Sequence, residues 1–198
     1  MTSSLNTSKK RVVRKHILQL AGELYLHPQT DKAIASNLKA RFPALTLEHV
    51  QELFNYLAAK GLVVIRENRS ALSVQITPMG IDLLDGAIAV RGVESSSAQF
   101  AKLEYKKEIR RKILSYCNSF QEYFNEDTEI RDEFRESGFL NLLIEEIRFN
   151  LWYLNQKSML DLKTFSVGGE QVFMARITPK GIDVIENNEA DPGVSGDS

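Results

Sequence analysis

One cysteine, one tryptophan and five prolines are found among 198 residues, and each scarcity excludes something. With Cys117 alone, no intrachain disulfide is available, and the chain fits a reducing compartment, the cytoplasm. Three histidines, His16, His27 and His49, lie too far apart in helical position to share a zinc ion with the cysteine. No apolar run approaches the ~20 residues that span a bilayer, so no membrane partner is expected. The opening MTSSLNTSKK is polar and basic and does not read as a secretory signal. Gly168-Gly169 is not followed by the lysine and hydroxyl residue of a phosphate-binding loop. Glu145 and Glu146 are sequence neighbours and point in different directions on a helix, so they do not form a carboxylate pair. No catalytic, cofactor-binding or metal-binding residue is assigned, and the expectation is a protein that is not an enzyme.

What the chain does have is a phrase written twice. Ile76–Asp85 reads ITPMGIDLLD and Ile177–Glu186 reads ITPKGIDVIE, identical at six of ten positions. RKHIL at 14–18 matches RRKIL at 110–114, and YLAAKGLVVI from Tyr56 matches YLNQKSMLDL from Tyr153. A repeat of this length indicates one structural unit used twice.

Hydrophobic periodicity supplies the content of that unit. Val13, Ile17, Leu20 and Leu24 mark one face of a first helix. Thr30 or Asp31 caps a second, with Ile34, Leu38 and Phe42 inward, and Thr46 caps a third, with Leu47, Val50, Phe54 and Leu57 inward and Gly61 as its stop. The period then shortens to two for strands Leu62–Arg66 and Leu72–Ile76, and Thr77-Pro78 opens a short closing helix. The second half repeats the order. Its long first helix carries Tyr105, Ile109, Ile113, Tyr116, Phe120 and Phe124 on one face, and Thr128 caps the next. A third helix starts near Phe139, followed by a hairpin turning through Gly168-Gly169. The expected division is a disordered tail over 1–8, a domain over 9–90, a linker over 91–98, a domain over 99–187 and a disordered acidic tail over 188–198.

Three helices, a hairpin and a closing helix, with LAAKGLVVI and VQITPMGIDLL in the first half and LNQKSMLDL and ARITPKGIDVI in the second, resemble the winged-helix superfamily. The fold class expected is α+β, mostly helical: two tandem winged-helix domains related by internal duplication. The resemblance implies a helix-turn-helix in which the third helix enters the major groove of double-stranded DNA and the hairpin touches phosphate. It equally allows a protein-docking adaptor, for example in a chromosome-condensing assembly, because fold does not settle function.

Charge separates the two halves. Residues 1–92 hold 12 Lys and Arg against 7 Asp and Glu, whereas residues 93–198 hold 13 against 19. The basic residues expected to hold phosphate are Lys9, Lys10, Arg11, Arg14 and Lys15, with Arg66, Asn68 and Arg69 at the first hairpin. His49, Gln51 and Asn55 are the candidate base readers on the third helix, while Glu48 reads as a charge of its first turn. In the second half, Leu142, Phe149, Trp152 and Tyr153 leave the third helix apolar nearly all round, which points to a protein interface: a second copy in a dimer, or another protein. The function expected is transcription regulation by DNA binding through the first domain and association through the second.

Overall fold

A computed structural model describes residues 6–68, 71–94 and 100–195, with backbone only at Asn68, Phe100 and Ala101. Arg69 and linker residues 95–98 lie outside the described residues, as do 1–5 and 196–198. The fold is α+β, and the chain divides into two compact units, Met1–Gln99 and Phe100–Ser198.

The first unit runs α1 (Thr7–Glu23), β1 (Gln29–Thr30), α2 (Asp31–Lys39), α3 (Leu47–Ala59), β2 (Val63–Asn68), β3 (Ala71–Ile76) and α4 (Pro78–Asp85). The second runs α5 (Phe100–Ser119), β4 (Asn125–Glu126), α6 (Asp127–Glu136), α7 (Ile144–Gln156), β5 (Leu160–Val167), β6 (Glu170–Ile177) and α8 (Pro179–Ile185). Each unit carries a three-stranded antiparallel sheet, ordered β1-β3-β2 in one and β4-β6-β5 in the other.

Local chemistry sets the ends of these elements. Asn6, Thr30, Thr46, Thr77 and Thr178 each cap a helix by accepting a bond from a backbone N–H in its first turn, which satisfies one of the donors left over there. Pro78 and Pro179 stand in the first turns of α4 and α8, where a missing N–H costs nothing. The α3–β2 corner needs a left-handed residue, met by Gly61 at φ 70° and in the second unit by Ser158 at φ 62°. Gly80 and Gly181 lie so close to the strand before them that a methyl group would stand 2.7 and 2.8 Å from Ile76 and Ile177 Cγ1.

Several expected boundaries move. α1 begins at Thr7, so Asn6–Ser8 are ordered, because Asn6 Oδ1 takes the Lys9 N–H. α2 ends at Lys39, short of Phe42, and α5 ends at Ser119, leaving Phe120 47% exposed. Glu126, not Thr128, occupies the cap of α6. α7 begins at Ile144 because Gly138, at φ 95°, turns the chain, and Leu142 is buried in that turn.

The largest difference is at the two segments expected to be linker and tail. Arg91–Glu94 and Asp191–Ser195 are ordered and pack against their own units. Arg14 Nη1 donates to Gly92 O at 2.7 Å, Tyr56 Oη donates to Arg91 O at 2.9 Å, and Val93 is buried. In the second unit Arg110 Nη1 donates to Gly193 O at 2.9 Å, Lys157 pairs with Asp191 at 2.6 Å, and Val194 is fully buried. Each segment is a strap across the first and third helices of its unit. Neither has sequence periodicity; each is held by a buried valine and a few polar contacts, of which the arginine bond to a glycine carbonyl is common to both.

Candidate nucleic-acid interface

The third helix is the natural place to begin, and its local bonding decides what it can offer. His49 Nδ1 accepts from the Thr46 N–H at 3.3 Å and the His49 N–H returns a bond to Thr46 Oγ1, a reciprocal cap. Gln51 Nε2 donates to Asp31 Oδ2 at 2.7 Å, and that carboxylate, 1% exposed, also accepts from the Leu72 N–H. Two of the three expected base readers, His49 and Gln51, are therefore engaged within their own unit. Asn55 is exposed on α3, together with Glu48 and Glu52. Bonds to its own backbone N–H, then to the Thr46 hydroxyl, lower the pKa of Glu48, so it stays anionic.

The expected phosphate contacts divide in the same way. Arg14 is committed to the strap: its guanidinium carbon lies 3.4 Å from the Tyr56 ring centroid and Nη1 holds Gly92 O. Burial lowers its pKa, with Tyr56 acting in the opposite sense and Arg11 adding to the lowering. Lys15 pairs with Glu94 at 3.8 Å. Lys9 and Arg11 remain exposed, Lys10 is half-buried, and Arg66 is exposed on β2. Sequence reasoning gave no phosphate-binding role to Lys32, Lys39, Arg41, Lys60 and Arg91, all exposed in the same unit. The signal for the α2 pair was present: Lys32 and Lys39 flank the inward stripe Ile34 and Leu38 and so had to face solvent.

In the second unit the position of Gln51 is taken by Arg148, whose Nε donates to buried Asp127, and Asp127 also accepts from the Phe173 N–H. The expected protein-interface residues mostly face inward. Leu142 is 2% exposed, Trp152 5% and Tyr153 0%, so only Phe149 keeps a half-buried ring against Trp152 and Lys106. Arg110 lies 3.7 Å from the Tyr153 centroid and bonds Asn150 Oδ1, which uses that side of α7 for packing.

Exposed apolar side chains of this unit include Tyr123, Leu140 and Leu143 before the third helix, and two on the second hairpin. Phe165 and Val167 of β5 are 48% and 64% exposed. They share a face with half-buried Val172 and Met174 of β6, and beyond them Lys163 and Arg176 sit over the Phe124 ring at 3.9 and 4.8 Å.

Among the described residues no group of three or more His, Cys, Asp or Glu is placed to hold a metal ion, and no helix is long and apolar enough to cross a membrane. Comparison with known proteins adds no assignment: no protein-family model matches the chain and no curated protein matches it.

Proposed function

We propose that the chain is a pair of winged-helix domains derived from one by internal duplication, and that it binds duplex DNA without catalysis, as a regulator would. In this reading the first domain makes the contact and the second provides association. The duplication is supported by recurrence of bonding as well as of order. Arg14, Tyr56 and Gly92 recur as Arg110, Tyr153 and Gly193, and Asp31, Gln51 and Leu72 recur as Asp127, Arg148 and Phe173.

One observation carries the DNA reading: Lys9, Arg11, Lys32, Lys39, Arg41, Lys60, Arg66 and Arg91 are all exposed on a single small unit. Such a set offers phosphate affinity. The α3 face offers little base readout, with Asn55 between two carboxylates, so the DNA contact favours affinity over sequence choice. The alternative, a protein-docking adaptor, draws on that acidic α3 face and on the apolar second hairpin.

The test is fluorescence anisotropy of labelled random duplex against the full chain across a salt series. Affinity that falls steeply with salt supports phosphate contact. No binding even at low salt sinks the DNA reading and leaves the adaptor.

A further inference from the structure

β5 is an edge strand: its sheet is ordered β4-β6-β5, and among the described residues its sole neighbour in that sheet is β6. Which of its backbone groups face the open side follows from one bond. Asn155 Nδ2 donates to Leu160 O at 2.9 Å, so that carbonyl points away from β6. Because strand backbone alternates with a period of two, Leu162, Thr164 and Ser166 also present their N–H and C=O on the open edge. The closing pair Val167–Glu170 across the two-residue Gly168-Gly169 turn has the same phase.

An open edge is a template for pairing, and small domains ordinarily guard it with charge. The first unit does so. Its edge strand β2 has six residues and places Arg66 and Glu67, both exposed, toward the tip. In the second unit the edge has eight residues, and its tip half reads Thr164, Phe165, Ser166, Val167, with no charge. The tip is also open, since a methyl group added at Gly168 or Gly169 would meet nothing within 4 Å among the described residues. Two units of one architecture thus treat the same edge in opposite ways.

We propose that β5 pairs antiparallel with β5 of a second copy of this chain, about a twofold axis at Phe165, joining the two second-unit sheets into one. The proposal rests on the reading that the second domain provides association, and it names the surface and the partner. The strand is complementary to itself in this register. Thr164 lies opposite Ser166 of the second copy and exchanges both main-chain bonds with it, and symmetry doubles the set to four. Phe165 stands at a non-hydrogen-bonded position, where side chains of facing residues come closest, and meets its own image. Val167 lies opposite the stem of Lys163 of the second copy, whose ammonium sits over the Phe124 ring of its own unit. One strand pair is a small interface, so association in the micromolar range is expected.

The experiment is sedimentation equilibrium of the full chain without DNA, from low micromolar to several hundred micromolar, on the native protein and two variants. Thr164→Pro removes an open-edge N–H that β6 does not use, and Val167→Lys places charge in the apolar seam. The native chain is expected to dimerise and both variants to remain monomeric, with native circular dichroism and melting. If Thr164→Pro does not fold, Val167→Lys decides. A third variant, Phe165→Cys, is expected to give a disulfide-linked dimer under mild oxidation, because facing Cα atoms at such a position lie about 4.5 Å apart. A native chain that stays monomeric throughout overturns the proposal and hands this edge to a different partner. Variants that dimerise like the native chain, or a dimer that Phe165→Cys does not cross-link, overturn it too. Anisotropy with duplex is run separately, so loss of DNA binding with an intact dimer counts against the DNA reading alone.

Discussion

The guanidinium carbon of Arg110 lies over the Tyr153 ring, 3.7 Å from its centroid, and both side chains are fully buried. Arg14 and Tyr56 make the same contact at 3.4 Å in the first unit, but there both are only half-buried. In each case the arginine ends on a strap carbonyl, so the stack fixes the end of the unit to its first and third helices.

Replacing the two arginines is expected to cost different amounts. Arg110→Ala removes bonds to Asn150 and Gly193 and leaves their buried oxygens unpaired, a loss of about 3 kcal/mol. Arg14→Ala removes one bond and a stack nearer to solvent, about 1–2 kcal/mol. Urea unfolding of the two variants checks the order; equal losses would remove the role given to burial.

Gly80→Ala and Gly181→Ala are expected to be among the most damaging one-methyl changes in the chain. Each added methyl presses on a backbone carbonyl, Leu62 O or Met159 O, and on the preceding isoleucine. Neither neighbour is a flexible side-chain end, so the cost is expected to reach about 3 kcal/mol. Gly168→Ala, where nothing is near, meets only the strain of its left-handed backbone, roughly 1 kcal/mol. Thermal melts of the three variants separate these effects.

Gln51→Ala and Asn55→Ala distinguish structural from contact positions on α3. Gln51→Ala leaves buried Asp31 short of a donor and lowers stability by about 1–3 kcal/mol. Its effect on preference among duplex sequences is expected to be nil. Asn55→Ala leaves stability unchanged and, under the DNA reading, alters whatever sequence preference exists. Unfolding curves and competition binding on the same two proteins read both effects.

Burial pushes the Cys117 thiol from its ordinary 9.0 up to about 12. The folded chain therefore keeps its proton where an unfolded chain loses it. The thiol's contribution is complete below about pH 9 and declines as pH rises toward 12, by at most about 1.4 kcal/mol per pH unit. At pH 8 iodoacetamide is expected to spare the native chain and modify it promptly in denaturant. Rapid labelling of the native chain would contradict the burial.

Much of the fold was legible because its signals are local. Thr77-Pro78-x-Gly and Thr178-Pro179-x-Gly announce a cap, a first-turn proline and a close approach within four residues, and Gly168-Gly169 announces its turn. β1 and β4 escaped notice because two residues cannot display a period, and they exist as strands through pairing with β3 and β6. The site residues were harder to read. Arg14 reads as a basic-patch residue beside Lys9, Lys10, Arg11 and Lys15, and only its distant partner Gly92 turns it inward, as Gly193 does Arg110. Gln51 looks outward on a helical wheel until Asp31, twenty positions away in sequence, claims it.

The strap also sets a timetable for synthesis. The first unit has its strap contacts once residues through Glu94 have left the ribosome, and it can close while the second is still being made. Arg110 waits in the same way, since its acceptor Gly193 lies 83 residues on, against 78 from Arg14 to Gly92. For that interval a nascent second unit holds a cation that its finished form buries, and a chain halted before Gly193 leaves that guanidinium without its strap carbonyl.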